Sequence, residues 1–292
     1  MSRRSAFVLV AAALLAGAVF VLRPAPKTEP LRRHDRATPA EVVVDVPVET
    51  ALSAPPLTPP SVPVSALAPA PVPAVPVLPA TGLVQGRVRI AGPAPKPKRL
   101  RMDADPACEA LHPSRVYSDE LVVDAELGLR WAFVYVKEGP LPETAPPAIP
   151  VLLDQVGCRY EPHVLGVQTG QQLLVRNSDP LLHSVHVLPF ANPKACFGQP
   201  AFSSVQRVVF NQEEVMVRVR CDVHPWMSAW IGVLPHPWFA VTDETGRFQL
   251  PALGPGSYAI VLWHEAYKDV VRGVTIKPGE TTTLDFLLDV RK

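Results

Sequence analysis

The segment from residue 24 to residue 80 lacks glycine, cysteine and every aromatic side chain, while 15 of its 57 positions are proline. Proline fixes φ and removes a backbone donor, so such a run cannot build a helix or join a sheet. The absence of aromatic residues leaves it little to bury in a core. Eighteen of the 20 aromatic residues of the chain instead follow position 80. The sequence therefore predicts a disordered Pro/Ala/Val-rich linker over residues 24–80 and a folded region over residues 81–292.

The chain also lacks a charge excess of either sign. Its formal net charge is +1, and residues 81–292 carry 21 basic and 22 acidic side chains. A nucleic-acid-binding surface needs a dominant positive field, so this class of partner is excluded. Glycine does not recur at every third position, which excludes a collagen-like chain.

Basic side chains are concentrated at the N-terminus. Arg3 and Arg4 precede an uncharged run of 17 residues, from Ala6 to Leu22. A short positive region before an apolar core is typical of an export signal, and this length is also the lower limit for a membrane-spanning helix. Residues 1–23 are predicted to be a signal peptide or an N-terminal membrane anchor, with residues 6–22 in the inner membrane if the segment is not cleaved. The folded region is then expected in the periplasm or cell envelope. The alternative is a cytosolic protein in which this run is a core helix.

Short alternating runs separated by turn residues dominate the folded region. Leu83–Ile90 alternates and stops at Gly92 and Pro93, and Trp131–Val136 is rich in β-branched and aromatic residues. Similar runs occupy residues 173–175, 185–187, 205–210, 215–219, 230–233, 239–241, 258–263 and 281–288. No long period of 3.6 residues interrupts them, so the predicted fold class is all-β, a sandwich or barrel.

The C-terminal segment contains its own set of turn-forming residues. Residues 241–248 suggest a hairpin with Gly246 in the turn. The run Leu250–Tyr258 that follows resembles the carboxypeptidase regulatory-like module, a small transthyretin-like β-sandwich, over about residues 237–290. We therefore expect a first β-domain over residues 81–236 and this second sandwich over residues 237–292.

The most informative segment places three donor types in one turn, with the spacing Cys-x-x-His-x-x-Met at Cys221, His224 and Met227. In the preceding run Val215, Val217, Val219 and Cys221 share one face, so the thiol is predicted to point into the core.

A second segment supplies the fourth donor. His183 shares a face with Val185 and Val187, whereas Ser184 and His186 point the other way. The two-residue periodicity of a strand therefore predicts that the imidazole of His183 points into the core.

One thiolate, two imidazoles and one thioether form the donor set of a type 1 copper site. Zinc does not usually recruit a thioether. The expected cofactor is one copper ion that cycles between Cu(I) and Cu(II). The metal-free alternative is a buried cysteine and methionine beside two surface histidines.

At these residues, with Pro225 after the histidine, the sequence resembles the cupredoxins, the plastocyanin and amicyanin superfamily, over about residues 157–234. The resemblance implies a Greek-key β-sandwich in which His183, Cys221 and His224 are equatorial ligands and Met227 is axial. These proteins usually have asparagine after the first histidine, whereas this chain has Ser184, which puts the rigidity of the ligand loops and the reduction potential in question. Electrons would leave through an exposed edge of His224. Trp226 would shield that edge or simply pack there.

The remaining cysteines and histidines receive simpler interpretations. Export makes a disulfide plausible, and Cys108–Cys158 is the expected pair. Cys196 is then free, or it pairs with Cys158 instead. His163 and His186 could form a second metal site, but solvent-facing histidines are the preferred interpretation.

Three classes of function remain. The first is an exported, tethered copper electron carrier whose partner is a cytochrome c or another periplasmic oxidoreductase. The second is copper storage or delivery without redox shuttling. The third is a structural or glycan-binding envelope module, for which Trp238 and Trp263 are candidate platform residues. No enzyme is expected, because no nucleophile–base or carboxylate pair stands out and four filled ligand positions leave no open coordination site.

Overall fold

The computed structural model describes residues 80–289. The predicted export segment and the linker up to residue 79 lie outside this range, as do the last three residues. Within residues 80–289, no helix is long and apolar enough to cross a membrane.

The described part of the chain is built almost entirely of strands, which confirms the all-β prediction. Its one helix, α1 (Pro106–Ala110), is a single short turn. The strands are, in chain order, β1 (Leu83–Ala91), β2 (Phe133–Glu138), β3 (Val151–Gln155), β4 (Tyr160–Glu161), β5 (Val164–Gln168), β6 (Gln172–Asn177), β7 (His183–Leu188), β8 (Ala195–Gln199), β9 (Gln206–Val209), β10 (Glu214–Arg220), β11 (Ser228–Leu234), β12 (Phe239–Val241), β13 (Arg247–Gln249), β14 (Gly256–His264), β15 (Tyr267–Ile276), β16 (Thr281–Thr283) and β17 (Phe286–Asp289).

Strands β3 to β11 form the first sandwich. One sheet has the order β5-β11-β10-β7-β8, and the other has the order β4-β3-β6-β9. Alternate residues of β7 and of β6 are buried, as period two requires. Aliphatic side chains from both sheets, such as Leu173, Val185 and Ile231, share one buried core. The candidate metal residues lie on or next to β7, β10 and β11, which are neighbours in the first sheet.

The second sandwich includes strands from both ends of the folded region. Strand β1 pairs with β13, β16 and β17, while β2 pairs with β12 and β14. The strands over residues 83–91 and 133–138 thus share a core with those over residues 239–289. This pairing differs from the domain grouping expected from the sequence. The reason is that β1 lies between β13 and β16 and β2 lies between β12 and β14, so these C-terminal strands need them as hydrogen-bonding partners.

The predicted hairpin over residues 241–248 is a turn between two sheets. Gly246 takes a positive φ of 76°, and its N–H donates to the Asp243 carbonyl at 3.0 Å, as a tight turn requires. The flanking strands, however, pair elsewhere, β12 with β2 and β13 with β1. The prediction of the turn is correct, and the prediction of a hairpin is wrong.

The two sandwiches pack against each other through β2 and the β5–β11 pair. Gly166 and Gly232 are register partners on β5 and β11, and a Cβ at either position would overlap the ring of Phe133 or Phe239. The missing side chains let the two aromatic rings approach the sheet closely. Trp131, Tyr135 and Leu234 are buried around them. The sheet that carries the candidate metal residues is therefore backed by the second sandwich.

Candidate metal centre

His183 is fully buried at the first position of β7, as the alternation predicts. Its Nε2 donates to Asp179 Oδ2 at 2.8 Å. Its Nδ1 lies 2.9 Å from His224 Nδ1. The carboxylate fixes the ring orientation, so the opposite nitrogen of His183 faces His224.

The turn after β10 brings Cys221, His224 and Met227 together. Cys221 N–H donates to the Met227 carbonyl at 3.2 Å, and Met227 N–H donates to the His224 carbonyl at 2.9 Å. The Cys221 sulfur accepts the backbone N–H of His224 at 3.4 Å. All three side chains are at most 2% exposed. Three residues separated by short intervals therefore share one buried turn.

Ser184 joins the two ligand segments. Its N–H donates to the Cys221 sulfur at 3.4 Å, and its hydroxyl oxygen accepts the N–H of Asp222 at 2.7 Å. Serine thus ties the β7 end to the cysteine loop. These two hydrogen bonds connect the loops at the position where the resemblance expects asparagine.

Three potential ligand atoms converge in the core. The nitrogen donors of His183 and His224 and the sulfur of Cys221 all lie within 4.8 Å of one another. The Cys221 sulfur is 3.8 Å from His224 Nδ1. Met227 is buried in the same core. The structure therefore brings together the donor atoms of three of the four selected residues, and Met227 is buried in the same turn.

The charges in this group favour a thiolate. Burial raises the pKa of Cys221, but the hydrogen bonds from His183 and from the N–H groups of Ser184 and His224 outweigh burial and lower the pKa to about 6. Burial lowers the pKa of His183, but Asp179 and then Cys221 outweigh it and raise the pKa to about 9. Both shifts favour the thiolate of Cys221 and the imidazolium of His183 at neutral pH.

The Nε2 atom of each imidazole contacts a carboxylate. Asp179 accepts from His183 and also from the N–H groups of Gly157 at 2.6 Å and Cys158 at 2.8 Å. Asp105 Oδ2 lies 3.0 Å from His224 Nε2. Metal-bound histidines commonly donate their second N–H to a carboxylate in this way.

The sequence reasoning missed both carboxylates. One feature of the sequence could have identified Asp179: it lies four residues before His183, in the segment already selected for its histidine. Almost no such feature marks Asp105, because 119 residues separate it from His224.

A covering segment lies over His224, and it contains Asp105, α1 and Cys108. The predicted disulfide is present: Cys108 is bonded to Cys158, and both lie within 4.8 Å of a His224 nitrogen. Trp226 packs with its ring centroid 5.2 Å from that of His224, and its indole N–H donates to the Cys158 carbonyl at 3.1 Å.

His224 is only 1% exposed as a result. The expectation of an exposed His224 edge is therefore wrong. The physical reason is that the covering segment, which the sequence pattern did not place, occupies the surface in front of the ring.

His163 also differs from expectation, because it is 4% exposed rather than solvent-facing. It pairs with Glu265 of the second sandwich, and its Nδ1 lies 3.0 Å from the Ser228 carbonyl, next to Met227. Trp230 donates to the other oxygen of Glu265 at 2.9 Å. The second sandwich thus contacts the end of the ligand loop. The side chain of His186 is partly exposed and lies beside Asp222.

Of the two candidate glycan-platform residues, Trp238 is buried and Trp263 is partly exposed. Trp238 is 7% exposed and donates to the Ala252 carbonyl at 3.0 Å. Trp263 packs on Trp230 with ring centroids 5.3 Å apart. Both indoles serve packing in this structure.

Comparison with known proteins gives two kinds of match. The family model of the carboxypeptidase regulatory-like domain matches residues 235–289. None of the curated proteins compared with this chain matches it.

Among solved structures, the chain is similar to the copper-containing nitrite reductase (NirK) from Thermus scotoductus SA-01, with 23% identity over 32% of this chain and 24% of that one, at a TM-score of 0.26. A mutant of amicyanin in its Cu(I) form has 19% identity over 33% of this chain and 99% of its own, also at 0.26. A purple cupredoxin from Nitrosopumilus maritimus has 18% identity over 28% of this chain and 98% of its own, at 0.24. The chain spans only about a quarter of the nitrite reductase. Both families named from the sequence, the cupredoxins and the carboxypeptidase regulatory-like domains, are found among these matches.

Proposed function

We propose that the first sandwich holds one copper ion through His183, Cys221, His224 and Met227 and serves as an exported electron carrier. The convergence of a thiolate and two imidazole nitrogens in a buried, hydrogen-bonded pocket carries this proposal. The donors fit copper in chemistry, because a soft thiolate and imidazoles suit Cu(I) and Cu(II) alike. Copper would supply one-electron chemistry, and the four protein donors leave no role for a substrate, so no enzymatic activity is proposed.

The surrounding residues support a carrier because they restrict movement of the donors. Asp179 and Asp105 hold the two rings, while Ser184 and the loop hydrogen bonds hold the sulfur. A site that reorganises little between two oxidation states exchanges electrons readily. Because His224 is covered, we propose that electrons leave by way of Trp226, which is partly exposed and packs on that ring. The partner would be a cytochrome c or another periplasmic oxidoreductase, and residues 1–23 would carry the protein to the membrane.

Copper storage is the second candidate. The observation that favours it is the covered His224, because a buried ligand slows both metal loss and electron exchange. Electron transfer with a small soluble cytochrome c separates the two functions: a carrier reacts on mixing, whereas a storage protein does not.

The copper site is tested by loading the full chain with Cu(II). We expect intense visible absorption from sulfur-to-copper charge transfer, with a matching EPR signal. Cys221→Ser should remove both, and Cys196→Ser is the matched control because its thiol is exposed and free. A colourless wild type, or colour that survives Cys221→Ser, would overturn the proposal.

Copper affinity is expected to rise with pH. His183, with a pKa of about 9, must lose a proton to bind metal, whereas Cys221, with a pKa of about 6, is already a thiolate at neutral pH. Between these two values one proton is released per ion, so affinity should increase about tenfold per pH unit and level off above the pKa of His183. Below the pKa of Cys221, copper affinity should depend more steeply on pH, because the thiol must then lose a proton as well. Competition titrations against a chelator measure the slope, and an affinity independent of pH across this window would contradict the assignment.

A further inference from the structure

A second group of donors lies on the outer face of the same sheet. His186 of β7, Cys196 of β8 and Asp222 of the turn after β10 place one ligand atom each within 4.8 Å of one another. His186 and Cys196 are direct register partners in the β7–β8 pair. Asp222 is fixed above them, since its N–H donates to the Ser184 hydroxyl at 2.7 Å.

The separations suit a small divalent cation. Asp222 Oδ2 lies 3.0 Å from His186 Nδ1 and 3.9 Å from the Cys196 sulfur. In a tetrahedral zinc site, bond lengths imply edges of roughly 3.3 Å between nitrogen and oxygen and roughly 3.6 Å between sulfur and oxygen. The two edges to Asp222 thus lie within a few tenths of an ångström of those values, and the His186 nitrogen and Cys196 sulfur lie within 4.8 Å of each other.

The other oxygen of Asp222 already has a partner. Arg220 Nη2 lies 3.0 Å from Asp222 Oδ1. A hydrogen bond of this kind orients a ligating carboxylate, and it leaves Oδ2 directed at His186 and Cys196. The ion pairs alone explain the positions of His186, Asp222 and Arg220. They do not explain why Cys196, an exposed cysteine outside the disulfide, lies beside them.

We infer that His186, Cys196 and Asp222 form a second, solvent-facing metal site for a divalent cation of the zinc class. Nitrogen, sulfur and oxygen donors together select borderline cations such as Zn²⁺ over hard ones such as Mg²⁺. The exposed side of the group leaves the fourth position to water. On binding, the thiol of Cys196 gives up its proton and no electron is transferred. The site uses a different set of donors from the copper site, and His186 points to the face of β7 opposite to His183.

The test is the rate at which iodoacetamide alkylates Cys196 in the full chain with its disulfide intact, read by peptide mass mapping with and without Zn²⁺. Zn²⁺ should slow alkylation about tenfold, because a coordinated thiolate is withdrawn from the reaction. His186→Asn should abolish this protection. Glu213→Gln, an exposed carboxylate of the same sandwich, should preserve it, and Mg²⁺ should give none.

The readout concerns Cys196 alone, so the outcome does not depend on the buried site. Protection is read at the peptide that contains Cys196, so it can be observed whether or not the buried site binds copper. Equal alkylation rates with and without Zn²⁺, or protection that survives His186→Asn, would overturn the second site.

Discussion

Asp179→Asn should lower the free energy of unfolding of the metal-free protein by about 3 kcal/mol. The carboxylate is 3% exposed and accepts hydrogen bonds from Gly157, Cys158 and His183. Asparagine keeps the shape but removes the charge, so the buried imidazolium of His183 loses one of its two negative partners. The amide also replaces one acceptor oxygen with a donor that faces other donors. Denaturant titration of the metal-free chain measures the loss.

The same substitution should weaken copper binding by about 10- to 100-fold, as loss of a carboxylate behind a ligating histidine commonly does. It should also lower the pH at which affinity levels off, because the pKa of His183 falls when its carboxylate partner is neutral. Asp154→Asn is the matched control: Asp154 is 8% exposed and paired with Arg176, but has no contact with His183. It should cost stability without changing the pH profile. The role of Asp179 would be refuted if both variants changed copper affinity equally.

The alternation of inward and outward residues along a strand predicted the parts of the site that depend on one strand alone. His183 is inward because it shares a face with Val185 and Val187, and the burial along β7 follows that phase. The turn at Cys221 is likewise short enough that its spacing nearly determines its structure. These features could be predicted because neighbouring residues decide them.

Features that join distant segments could not be predicted in this way. Strand β1 pairs in parallel with β16, nearly the whole folded region away, and no local pattern marks that choice. Asp105 meets His224 only because the disulfide and α1 fold back over the ligand turn. His163 resembles a surface residue in the sequence, yet Glu265 of the other sandwich covers it. In each case a tertiary contact overrides the local signal.

The second large effect is expected when the disulfide of the covering segment is removed. Cys108→Ala combined with Cys158→Ala should lower the free energy of unfolding by about 4 kcal/mol, since the bond closes a loop with a sequence separation of 50. Both positions are fully buried, so alanine adds no unpaired polar group. Cys196→Ala, at the exposed free cysteine, is the control and should be close to neutral.

Loss of the disulfide should also uncover His224. The bond holds α1 against Cys158, and α1 begins directly after Asp105, so without it the carboxylate is no longer fixed at His224 Nε2. Carbethoxylation of His224, followed by peptide mapping, should become faster in the double variant than in Cys196→Ala. Asp105→Asn separates the causes, because it keeps the disulfide and should cost far less stability while still weakening the hold on the ring. If His224 stays protected in the double variant under conditions where it remains folded, then Trp226 and the core alone cover the ring, and the disulfide does not control access to the candidate copper site.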